Sequence, residues 1–231
     1  LQTVSDFSFQ GKPWKPSGSR SFCASFDGNG HQITGLWSFP DTDSKQTAWG
    51  LFASLSGARI SNLTINGAFI SADYDVSKNT ANSSLGILSA VSSNSDIVNC
   101  SIQNAFISAT DYQCVGALCG QSESDSFENV TVDASIRLHT GKTEDESTSH
   151  RLITKACGML TGTYTGQMLT AFVNSKASGQ ITDEDSYFSV GGLCGKAESM
   201  IYMTNCTNST EISSAGIAGG LVGSAAITPI R

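Results

Sequence analysis

A glycine-anchored phrase returns six times along this chain and constrains its fold more than any other feature. It reads Gly50-Leu-Phe-Ala, Gly86-Ile-Leu-Ser, Gly116-Ala-Leu-Cys-Gly, Gly158-Met-Leu-Thr-Gly, Gly191-Gly-Leu-Cys-Gly and Gly219-Gly-Leu-Val-Gly. The leading glycines are separated by roughly 28 to 42 residues, the interval range of stacked repeat architectures. A second phrase follows the first three anchors: Ile60-Ser-Asn-Leu-Thr-Ile, Ile97-Val-Asn-Cys-Ser-Ile and Phe127-Glu-Asn-Val-Thr-Val. It recurs in altered form at Phe172-Val-Asn-Ser and Tyr202-Met-Thr-Asn-Cys-Thr. Two short strand-like phrases per repeat, with no helical pattern between them, predict a pile of β coils.

Aligning the anchors produces columns. Phe52, Leu88, Leu118, Leu160, Leu193 and Leu221 fill the second place after the glycine, all large and apolar. Ser54, Ala90, Gly120, Gly162, Gly195 and Gly223 stand two further on, all small. Residues two apart in a strand share a face, so one large and one small inward residue would recur in each coil. Leu63 with Ile65, and Val130 with Val132, continue the alternation in the second phrase. Like then stacks on like at about 4.8 Å per rung. Parallel strands joined by crossovers wind right-handed. The expectation is therefore an all-β, right-handed parallel β-helix of six to seven coils. Residues 1–20 would form an amino-terminal cap or lead-in, with Pro13, Trp14 and Pro16 blunting the first edge. Residues 21–231 would form a single solenoid.

Phe26-Asp-Gly-Asn-Gly-His-Gln-Ile-Thr-Gly-Leu36, followed by the Gly-Leu-Phe and Ile-x-Asn-Leu phrases, resembles the GLUG-motif repeat proteins. The resemblance runs from about Ser21 to Gly223, with Ser54 and Ala90 departing from the closing glycine. It implies a β-solenoid of cell-surface or secreted proteins, often one segment of a longer adhesive or structural chain. It implies no particular reaction.

Composition narrows the function classes. A net charge of −7 offers no basic stripe for phosphates, which argues against nucleic acid as a partner. No stretch of eighteen apolar residues predicts a membrane span. The chain begins at Leu1 with neither a Met nor a signal-like segment, as expected of a processed or excised part of a longer protein.

Six Asn-x-Ser/Thr sequons are glycosylation candidates: Asn62, Asn82, Asn99, Asn129, Asn205 and Asn208. Asn62, Asn99, Asn129 and Asn205 occupy the repeated second phrase, and Asn174 fills the same place without a sequon. For Asn62, Asn99 and Asn129 this favours a buried ladder of stacked amides over glycans. Asn82 and Asn208 lie outside the column and are the better glycan sites in a eukaryotic source.

Eleven of the twenty acidic residues fall in the segments joining one coil to the next: Asp41, Asp43, Asp73, Asp75, Asp111, Glu144, Asp145, Glu146, Asp183, Glu184 and Asp185. They should project from one side as solvated loops. Clustered carboxylates are also ligands that calcium prefers, although no defined calcium-loop spacing is present. No other cofactor is implied.

Cys119 with Cys194, and Cys100 with Cys206, repeat their positions more than one coil apart, too far for a disulfide. Cys114 and Cys157 stand just ahead of anchors in successive coils and are the one disulfide candidate. No zinc-ligand spacing joins the cysteines to His31, His139 or His150. No catalytic constellation assembles either: Arg59, Arg137 and Arg151 lack repeated acidic neighbours, and no nucleophile motif occurs. Thr64, Ser101, Thr131 and Thr207 should form an outward hydroxyl column, interrupted at Ser175. The function expected is a non-enzymatic extracellular structural or adhesive module. It would continue into a larger surface protein or self-associate head to tail into a filament, because a coil begins at Gly219 without its second phrase. The alternatives are a polysaccharide-binding or polysaccharide-cleaving β-helix and, less favoured, an ice-binding face.

Overall fold

The computed structural model describes residues 7, 9–16, 21–40, 47–74, 83–140, 155–166, 170–184 and 188–226. They form an all-β parallel solenoid, without a helix among the described residues. Each coil crosses four sheets in turn. The first contains Arg59–Ser61, Asp96–Val98, Ser126–Glu128, Thr170–Val173 and Ile201–Thr204, led by Ser25–Asp27. The second is the widest, with Ser101–Thr110, Thr131–His139 and Lys176–Asp183 as its long rungs. The third runs from Ala48–Trp49 to Ile217–Gly219, and the fourth from Phe52–Ser56 to Val222–Ala225. The first, third and fourth sheets each hold six strands, which corresponds to about five turns, slightly fewer than the six to seven coils expected.

The glycine phrase is a corner, not a strand. Gly116 ends one rung of the third sheet and Cys119 opens the next rung of the fourth, with Ala117 and Leu118 in the bend between them. A Cβ on Gly116 would fall inside the carbonyl of Cys119, so the reversal is open only to glycine. A Cβ on Gly120 would lie 2.7 Å from the Ala90 oxygen. This is why the closing place is kept small. Sequence alternation alone read one flat strand here, because it has no signal for backbone meeting backbone.

Between the corners, like stacks on like. Ile60, Ile97, Phe127 and Phe172 are register partners in the first sheet, and the last two rings stack at 4.9 Å. Ile70, Ile107, Ile136 and Ile181 form a second column. Leu88, Leu118, Leu160 and Leu193 are all buried in the core, as the column argument required. Leu221 continues the column and is 44% exposed, with no further coil over it among the described residues.

The leading edge is covered. Trp14 donates its backbone N–H to Trp37 O at 2.8 Å and its indole N–H to Gly50 O at 3.2 Å. Phe22 brackets the fourth sheet, donating to Ser54 O and accepting from Ser56 N. Phe9 packs edge-on against Phe69 at 4.9 Å on the outer face of the second sheet.

Truncating a core column member removes both transfer energy and packing. Leu160→Ala should lower unfolding free energy by about 2–5 kcal/mol. Leu221→Ala should cost clearly less, because its side chain is already 44% exposed. Chemical denaturation of the two variants beside the parent checks this, and equal losses would mean that the column is misplaced.

Candidate functional site

The turn from the first sheet to the second carries the most regular polar structure of the chain. Asn62, Asn99, Asn129, Asn174 and Asn205 hold φ between 51° and 54°. That left-handed region tolerates Asn better than most residues. Each side-chain amide donates to the coil before it: Asn99 Nδ2 to Asn62 Oδ1 at 3.1 Å, Asn129 to Asn99 at 3.0 Å, Asn174 to Asn129 at 3.1 Å and Asn205 to Asn174 at 3.2 Å. Asn62 donates to the Asp27 carboxylate at 2.9 Å, and these bonds hold the Asp27 carboxyl below the usual carboxylate range. The backbone of the same turns runs the other way. Asn62, Asn99, Asn129 and Asn174 donate their N–H groups to carbonyls of the following coil.

The ladder is present, but it lies at the surface. Asn99, Asn129, Asn174 and Asn205 are exposed and Asn62 is half-buried, which corrects the expectation of a buried column. The interior begins one residue on, with Leu63, Cys100 and Val130. Successive rungs about 4.8 Å apart leave no room for a bulky glycan on every member. Asn208, expected outside the column just past a strand, is paired with Ala177 in the inward register. It donates to Gly220 O at 2.8 Å and accepts from Thr210 N at 3.1 Å. Asn82 lies outside the described residues.

The hydroxyl column faces outward beside the ladder. Its register partners are Gln32, Thr64, Ser101, Thr131, Lys176 and Thr207. Lys176, not Ser175, interrupts it, since Ser175 turns inward and is fully buried. One broken column is not the paired array that would match an ice lattice.

Cys114 and Cys157 do not come together. Cys114 pairs with Ala156 and Val115 pairs with Cys157, so the two thiols are offset by one residue and point to opposite faces. All seven cysteines are free. Cys119 and Cys194 share a column with Thr161 between them. Burial pushes the Cys194 thiol up to about 12 and raises Cys119 and Cys157 well above the ordinary range. These are core packing groups, not nucleophiles.

Two charged clusters were not legible in the sequence. At the corner between the second and third sheets, Lys155 Nζ meets Asp111 Oδ1 at 2.7 Å, with Thr140 Oγ1 at 3.3 Å. Their side chains are 13% and 10% exposed, and the ammonium also lies 5.5 Å from the centre of the Phe188 ring. Asp111, expected among the solvated acidic loops, is instead a buried ion-pair partner. Asp183, from the same group, is also buried and accepts from Ser214 Oγ at 2.8 Å. Asp73 and Glu184 lie at the same edge of the second sheet, where His139 Nδ1 comes within 4.0 Å of Glu184. Asp41, Asp43, Asp75, Glu144, Asp145, Glu146 and Asp185 lie outside the described residues, as do His150 and Arg151. Among the described residues, no group of three or more His, Cys, Asp or Glu is gathered as a metal site.

The second cluster is internal. Asp125 is 1% exposed and accepts from Ser95 N at 2.8 Å and Ser122 Oγ at 2.6 Å. Ser95 Oγ in turn accepts from Ala58 N at 3.1 Å, so three coils share one polar thread. Burial pushes the Asp125 carboxyl up to about 6, against the opposing pull of these bonds. Arg59 also has an acidic neighbour that sequence reasoning missed: Asp96, one coil on, at 3.4 Å. Arg137 lies over the Phe106 ring at 5.6 Å. Comparison with protein-family models and with curated proteins finds no match.

Asp125 makes stability depend on pH with a definite sign. Its folded pKa of about 6 exceeds its ordinary value of 3.8, so the folded state binds more protons between them. Its contribution is therefore lost as pH rises through that window, on the order of 3 kcal/mol in full. Asp125→Asn should be more stable than the parent at pH 7 and close to it at pH 4, as read by urea midpoints at both pH values. In contrast, Lys155→Met leaves the Asp111 carboxylate buried without its cation. It should lose about 3–5 kcal/mol at pH 7 in the same assay.

Proposed function

We propose that this chain is a non-enzymatic structural or adhesive module of the cell exterior, its coils wound right-handed. One observation carries the reading: the outward polar groups are used on one another, coil to coil. The amide ladder, the Arg59–Asp96 pair and the Ser178–Asp133 bond at 3.0 Å all run along the stack instead of converging on one point. Surfaces of that kind suit extended contact and not turnover. The GLUG-like repeat phrases support the same location.

A polysaccharide-binding reading rests on a separate observation. Phe9 and Phe39 are 37% and 51% exposed, and both pack against Trp37 on the outer face of the second sheet. Exposed rings of this kind can stack on sugar faces. Incubation with a polysaccharide panel separates the two readings. Retarded migration in polysaccharide gels, lost in Phe39→Ala, would favour the binding surface. The module reading expects no release of reducing or unsaturated sugars, and measurable turnover would overturn it.

A further inference from the structure

The segment through Phe7, Phe9, Gln10 and Trp14 does not follow a rung. It runs along the stack, across the outer face of the second sheet, and its contacts fall in order. Phe7 packs on Phe69 and Phe106, with 5.2 and 6.1 Å between ring centres. Phe9 packs on Phe69 at 4.9 Å and on Trp37 at 5.7 Å. Gln10 O accepts the Trp37 indole N–H at 3.0 Å, and Trp14 O accepts from Ser38 Oγ at 2.9 Å. Trp37, Phe69 and Phe106 are register partners on three successive rungs, Trp37–Ser38, Phe69–Asp73 and Ser101–Thr110. One short strap therefore touches three coils.

The sheet is matched to the strap. Phe69 and Phe106 precede the core residues Ile70 and Ile107, so they face away from the core. Both are nonetheless only 2% exposed, and their rings stack at 5.2 Å with 11° between planes. The same column continues as Ser135, Gln180 and Glu211. It is aromatic on the rungs that Phe7 and Phe9 reach and polar on the rungs beyond. The hydrogen bonds of the strap go to Trp37, Ser38 and Gly50 at the leading end. Its ring contacts with the second and third rungs are made by Phe7 and Phe9.

We propose that this strap is a lock on the leading coils. Hydrogen bonds pin it to the first rung and Phe7 pins it to the third, so the first rung lifts away only by withdrawing a ring from Phe106. A satellite apolar cluster under a loop is common in folded domains; this one spans two rung junctions. The leading rung is only two residues long, Trp37–Ser38, and it gains a foothold two coils deeper. Those two rungs lie about 10 Å apart, a separation at which sites act independently unless they share a partner. The strap is that partner. The inference concerns the amino-terminal coils alone and stands apart from both the module and the polysaccharide readings.

Hydrogen exchange of the full chain, read by mass spectrometry, tests the lock. Phe7→Ala should speed exchange in residues 32–38 on the order of tenfold. Phe106→Ser, which copies the residue of the next rung, should do the same from two coils away. The two substitutions break one link, so together they should accelerate that segment no further than Phe106→Ser alone. The rung Lys176–Asp183, beyond the reach of the strap, should exchange as in the parent throughout. Unchanged rates in residues 32–38, additive acceleration in the double variant, or equal acceleration at Lys176–Asp183 would each overturn the proposal.

Discussion

Parallel stacking in register is the constraint on which everything else in this molecule rests. With rungs about 4.8 Å apart, each side chain has its counterpart from the neighbouring coils directly above and below. A column must therefore be self-compatible. Isoleucine on isoleucine and phenylalanine on phenylalanine satisfy this by packing, as Ile107 on Ile136 and Phe127 on Phe172 show. A charge on a like charge does not. The carboxyl group admitted to the interior at Asp125 is accordingly threaded by serine hydroxyls and a backbone N–H, and its position in the Ser95 column is a single rung deep. Asparagine can stack on itself, because each side-chain amide both donates and accepts.

The same rule explains what could be read from sequence. Columns were legible wherever the chain repeats at fixed spacing. Leu118, Leu160 and Leu193 fell where the anchor alignment put them, and so did the Asn places from Asn62 to Asn205. Errors of a single residue came where places were not counted strictly from the repeated residue. Lys176, two places after Asn174 as Thr131 is after Asn129, holds the outward place, and Cys114 stands two places ahead of its glycine where Cys157 stands one. Alternation flips every assignment when the phase slips by one residue.

Contacts between different residue types on different coils were not legible at all. Lys155 reaches Asp111 across a segment whose length varies from coil to coil, so no spacing rule joins them. Arg59 and Asp96 are register partners, but each occurs once and neither repeats. Repeat reasoning finds what a coil shares with its neighbours. It misses what one coil has alone, and the buried charges among the described residues are of that kind.

The backbone hydrogen bonds between rungs run along the axis of the stack, while the covalent chain runs around it. Along that axis the coils are joined as a series of weak junctions. A tension applied along the stack passes through every junction alike, so the weakest yields first and the others follow one at a time. The ladder and the core columns thus give the molecule a sequential mechanical response, with each released coil adding its own contour length to the tether.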